Sequence, residues 1–211
     1  MPKIIFKIDP ISDEKNWRRI KRLPKLPYGL KKVRGKRVVG RKKIKDFSSI
    51  GVKKLKAKKT ELEKYFKNNG MKFFKRIELV TNKPICAKVF NVDFTSVGVH
   101  PYFIKNNFFM ISAYDDLATN LTRIAHEILH FQFHYYYETY CKKKGLKNPE
   151  RSDLKEALTF LLNEEEFKDL LSDRDPSYPN HKILRQKLSK IWRKDRNFRD
   201  LLDQGIKLVK G

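Results

Sequence analysis

The stretch Leu117-Ala118-Thr119-Asn120-Leu121-Thr122-Arg123-Ile124-Ala125-His126-Glu127-Ile128-Leu129-His130-Phe131-Gln132-Phe133-His134 decides how the rest of this 211-residue chain is read. Leu117, Leu121, Ile124, Ile128 and Phe131 recur at three- and four-residue intervals, the period of one helical face. Asp115 or Asp116 supplies an N-cap, and Lys142, Lys143 and Lys144 followed by Gly145 suit a helix C-terminus and its stop. The spacing therefore predicts one long helix between these signals.

On that helix His126 and His130 are four residues apart and project side by side, so two imidazoles can take adjacent corners of a tetrahedral metal site. Glu127 is turned about 100° around the axis from His126. From there a carboxylate reaches a metal-bound water rather than the ion, and in zinc peptidases it acts as general base. Zn2+ is thus the expected cofactor, and hydrolysis of a protein or peptide substrate the expected reaction. Such a site takes a third protein ligand and leaves the fourth position to water.

The candidates for that third ligand are His134, Glu156, His181 and the acids Glu164, Glu165 and Glu166. His134 continues the row, but its Cα lies about 12 Å along the axis from that of His126, too far for three residues of a straight helix to converge readily on one ion. It reads as a residue behind the ligands or in the core. Glu156 is better placed, early in a second helix predicted from an N-cap at Ser152 to about Leu171. The oxyanion donor is left open among Arg123, Tyr136, Tyr178 and His181.

Ile124-Ala125-His126-Glu127-Ile128-Leu129-His130-Phe131-Gln132-Phe133-His134 resembles the HExxHxxxH helix of the ImmA/IrrE-type metallopeptidases, members of the gluzincin group. Lys155-Glu156-Ala157-Leu158-Thr159-Phe160 is similar to the glutamate-bearing second helix of that group, and the strand Phe108-Phe109-Met110-Ile111-Ser112 also fits. The resemblance covers about residues 97 to 170. It implies a zincin-like fold, His126, His130 and Glu156 on zinc, Glu127 as base, and a strand rim holding an extended peptide. Leu129 stands where the family usually has Gly or Ala, Leu158 where it commonly has Asn or Asp, and no helix-turn-helix segment is attached.

Outward from this centre, strands are predicted at 3–8, 72–80, 85–94, 97–104 and 108–112, from β-branched and aromatic enrichment. A helix from Val52 to Asn69 closes at Gly70, a loop runs from Asp173 to Pro179, and a last basic helix starts near His181. Strands followed by helices point to an α+β domain over 51–211, with a small antiparallel or mixed sheet.

The formal charge is +25, and it is concentrated. Between Lys15 and Lys59, 20 Lys/Arg face the single acid Asp46, so that stretch holds +19. Residues 1–50 are expected to be a basic, poorly ordered arm able to bind nucleic acid through Arg18, Arg19, Lys21, Arg22, Lys31, Lys32, Arg34, Lys36, Arg37, Arg41, Lys42 and Lys43. This charge carries the competing reading, a nucleic-acid-binding protein with a structural or degenerate zincin fold. A third reading is a SprT-like DNA-associated protease, in which His181 would supply the third ligand. No apolar run approaches the roughly 18 residues of a membrane span, and the charged start does not suit a signal peptide. Cys86 and Cys141, the only cysteines, make neither a disulfide framework nor a Cys-based metal cluster, so a cytoplasmic protein with free thiols is expected.

Overall fold

Strand β1 (Lys3–Lys7) pairs in parallel with β2 (Val89–Thr95), and β2 pairs in parallel with β4 (Phe108–Ser112). The two-residue β3 (Tyr102–Phe103) closes the edge antiparallel to β4, giving the order β1-β2-β4-β3. The sheet is therefore mixed and the architecture α+β, in a computed structural model that describes residues 1–22, 51–176 and 178–211. Among those residues, no helix is long and apolar enough to cross a membrane. The chain divides into two units, residues 1–69 with 89–120, and 70–88 with 121–211.

The first unit holds the sheet. Phe6, Phe90, Val92, Phe94, Phe109 and Ile111 are buried in it, and the Phe6 and Phe66 rings lie 5.9 Å apart. Helix α1 (Pro10–Lys21) starts from Asp9, whose side chain accepts from Ile11 N. Its inner face is Asp13, Asn16, Trp17 and Ile20, at helical spacing. Asp13 accepts from Thr95 Oγ1 at 2.7 Å, Ser96 N at 2.8 Å and Ser96 Oγ at 2.6 Å, while Asn16 donates to Val99 O at 2.9 Å. These bonds correct two expectations. Residues 10–21 are helix rather than poorly ordered arm, because half of the inward face is polar and finds its partners only in the fold. The strand expected at 97–104 shrinks to Tyr102–Phe103, because α1 side chains take the backbone groups after β2. Arg18, Arg19 and Arg22 are exposed, with Arg18 paired to Glu14 at 3.0 Å. Lys31, Lys32, Arg34, Lys36, Arg37, Arg41, Lys42, Lys43 and the side chain of Lys21 lie outside the described residues.

Helix α2 (Val52–Thr81) begins in the first unit and ends in the second. It passes through Gly70, so the expected stop there and the strand at 72–80 are both corrected. Phe73, Ile77 and Val80 are fully buried at intervals of four and three, a helical period outweighing the strand-like composition. One glycine costs a helix about 1 kcal/mol, too little to end one that buries this face. The stop comes instead at Asn82, with φ +49°, two residues before Pro84.

The second unit is helical. Helix α3 (Leu117–Gln132) enters from an Asp116 cap, whose carboxylate accepts from Thr119 N at 2.9 Å. It continues through a π-turn (Phe133–Tyr137) into α4 (Glu138–Lys143), and Gly145, at φ +83°, ends the run as expected. Gln132, fully buried, accepts from Cys86 N at 2.7 Å and donates to Pro84 O at 3.1 Å, fastening the segment after α2. Helix α5 (Asn148–Leu158) is capped at Lys147, five residues before the expected Ser152 cap, and opens with Asn148-Pro149, where proline suits a first turn. It stops at Leu158, not Leu171, and passes into two 3-10 turns, Thr159–Asn163 and Glu165–Phe167, with Glu164 extended between them. Further on come α6 (Lys182–Asp195) and, beyond Arg196 at φ +48°, α7 (Phe198–Lys210).

Candidate metal centre

The part of α3 in the second unit is buried nearly all round. Leu121, Ile124, Ile128 and Phe131 form the expected apolar stripe, and Thr122, Glu127 and His130 are buried besides. A polar side chain carried into such a helix must find partners within the fold. His126 and His130 stack edge to face with ring centres 4.3 Å apart, as the four-residue spacing requires.

Glu156 meets them from α5. One carboxylate oxygen lies 3.2 Å from His130 Nε2 and the other 3.5 Å from His126 Nε2. The potential ligand atoms of these three residues lie within 4.8 Å of one another, and they form the one such group of His, Cys, Asp or Glu among the described residues. Glu156 reaches this place from just over two turns into α5, deeper than a cap at Ser152 would have put it. The adjacent Lys155, itself buried, donates to Glu156 Oε1 at 2.5 Å.

The orientation of His126 comes from outside the α3 and α5 pair. Its Nδ1 lies 2.7 Å from Asp175 Oδ1, which leaves Nε2 facing Glu156. Asp175 is fixed in turn by Thr159 Oγ1 at 2.7 Å, by Arg185 Nη1 at 2.9 Å and, through its backbone N–H, by Asn163 Oδ1 at 2.7 Å. Sequence reading missed Asp175, Thr159, Arg185 and Lys155. A metal-bound histidine almost always gives its other nitrogen to a carboxylate, carbonyl or water, so a partner was to be sought. Asp175 sits in the irregular, proline-bearing loop, where no periodicity could single it out.

Charge in this cluster is strongly redistributed. Burial opposes protonation of His126, but the Asp175 carboxylate and hydrogen bonds to Asp175 and Glu156 carry it up to about 10. Burial, with the charges of Lys155 and His126, pushes His130 down to about 3. Glu127 is raised to about 7 by burial, against the pull of His126 and Lys155, and its Oε2 has no hydrogen-bond partner among the described residues. For Glu156, burial is overcome by hydrogen bonds from both histidines, and the carboxyl is held well below its usual range.

The remaining candidates divide. Tyr178 lies near enough for burial and the carboxylates of Glu156, Glu127 and Asp175 to raise its phenol, and the Arg123 charge acts on Glu127. Tyr136 is elsewhere, with Lys83 Nζ 5.8 Å over its ring and Cys86 and Glu78 as the charges that influence it. His134 pairs with Glu138 at 2.7 Å across the π-turn, and His181 with Asp153 at 2.9 Å. Neither joins the triad, nor does Glu164, which pairs with Arg193.

The donor set suits zinc. The ligand atoms of the three residues, all within 4.8 Å of one another, are close enough to converge on one ion. Two imidazoles and one carboxylate are also the ligand types of a hydrolytic zinc site with one open position. No family model, curated protein or solved structure matches the chain.

Proposed function

We propose that this chain is a zinc-dependent peptidase of the ImmA/IrrE-like gluzincin type, holding its metal through His126, His130 and Glu156 and using Glu127 as general base. The observation that carries this reading is the convergence of two helical imidazoles and a carboxylate from a second helix beside a buried, under-bonded glutamate. When bound, zinc supplies a polarised carbonyl and a water of lowered pKa.

The chain supplies the rest. Asp175 fixes the His126 ring through Nδ1, so that Nε2 keeps its direction without further loss of side-chain freedom. Glu127, buried beside the two histidines and raised by that burial in the metal-free protein, is the group that accepts a proton and returns it to a leaving amine. A carboxyl at its ordinary value would be a weaker base. Tyr178, whose phenol is raised by burial and by the carboxylates of Glu156, Glu127 and Asp175, is the candidate donor to a developing oxyanion.

The test is Glu127→Gln in the full chain, assayed against a mixed-sequence peptide library. Hydrolysis should fall at least about a hundredfold while zinc content and thermal melting stay near wild type. Undiminished hydrolysis by the zinc-loaded variant would move the base to another residue.

A further inference from the structure

In the second unit, a cleft of about 680 Å³ opens along α6 on the side of the 3-10 turn at Thr159–Asn163. Five cations line it, Arg174, Arg185, Lys187, Lys190 and Arg193, against one acid, Glu164. That acid is already satisfied, accepting from Ser189 Oγ at 2.7 Å and Arg193 Nε at 2.8 Å. Arg185 is committed to Asp175. Arg174, Lys187 and Lys190 are exposed and make no ion pair among the described residues.

We infer that this cleft binds the phosphate backbone of a nucleic-acid strand, with Arg174, Lys187 and Lys190 as its phosphate contacts. Uncommitted cations gathered in one concavity focus potential and gain from counterion release when they meet regularly spaced phosphates. Lys187 and Lys190 are three residues apart on one helix, with the Glu164-braced Arg193 three further on, so the charges advance in steps of about 4.5 Å. An acidic peptide suits the cleft less well. Extended peptides take much of their affinity from pairing with a strand edge, and none of the described strands belongs to this unit. The inference is independent of the metal centre, so Glu127→Gln protein should bind nucleic acid as wild type does.

The test uses the full chain and a fluorescently labelled single-stranded RNA of about 20 nucleotides, titrated at several salt concentrations. The triple substitution Arg174→Gln, Lys187→Gln and Lys190→Gln is compared with Lys53→Gln, Lys54→Gln and Lys56→Gln, which removes the same charge from the exposed face of α2. The cleft variant should bind at least about tenfold more weakly at low salt and lower the salt slope by about 2, while the control changes affinity less than about threefold. Lys190→Glu alone should weaken binding by more than Lys54→Glu. Equal losses in both triple variants, or no loss in either, would overturn the assignment. So would a poly-glutamate peptide that binds more tightly than RNA and depends on the same three side chains, which would make the partner an acidic protein.

Discussion

Asp175 Oδ1 lies 2.7 Å from His126 Nδ1, so a loop residue 49 positions further along the chain sets the direction of the first imidazole of the HExxH motif. Asp175 is itself buried and held below the usual carboxylate range, where burial is overcome by His126, Arg185 and Thr159. Replacing it with Asn keeps the shape and removes the charge. Asp175→Asn should weaken zinc binding about 10- to 100-fold, measured by competition with a chromophoric chelator. An unchanged affinity would mean that His126 is oriented by packing alone.

Proton release follows from the same pair. In the metal-free protein His126 stays protonated up to about 10, His130 is neutral above about 3, and Glu127 ionises near 7. At pH 8.5 only His126 among these has a proton to lose, and a metal ligand must lose it. Calorimetric titration with zinc in buffers of different ionisation enthalpy should therefore give at least one proton released per ion, from His126, with ionisation of a zinc-bound water adding to it. Zero release would place the His126 proton elsewhere.

How far all this could be read from the sequence depends on whether each residue's partner is local. The pairing of His126 with His130, the strand at 108–112 and the stop at Gly145 are set by neighbours within one or two turns, and the sequence conveys them. That Glu156, and not Glu164, Glu165, Glu166 or His181, lies with the two histidines agrees with the spacing, although the helix N-cap is Lys147, five residues before the expected Ser152. Helix α1 and Asp175 were hidden for a common reason. Their inward groups are polar, and such groups declare themselves as interior only once distant partners, Thr95 and Ser96 for Asp13 and His126 for Asp175, are brought to them. In 72–80 the aromatic and β-branched composition masks a helical period that shows only in the burial of Phe73, Ile77 and Val80.

Gln132 offers a stability test away from the ligands. Its side-chain amide joins α3 to the backbone of Pro84 and Cys86, and no water-exposed alternative is open to it. Gln132→Leu should cost about 1 to 3 kcal/mol, because the Cys86 N–H and Pro84 carbonyl lose their partner. Urea unfolding would show this as a lower midpoint with an unchanged slope, and wild-type stability would contradict it.

The two thiols should be slow nucleophiles. Burial raises both Cys86 and Cys141 to about 11, and the thiolate is the reactive species. At pH 8 each should react with iodoacetamide at least about tenfold more slowly than free cysteine, whose pKa is about 8.5. Rapid alkylation of Cys86 in folded protein would mean that its surroundings open in solution.

The account stands or falls on whether the triad holds a metal. Elemental analysis of the full chain, reconstituted with zinc and dialysed, should find close to one ion per chain, with a marked loss in Glu156→Ala and none in Glu165→Ala, since Glu165 lies outside the triad. Negligible zinc in reconstituted wild type, or undiminished affinity in Glu156→Ala, would contradict it.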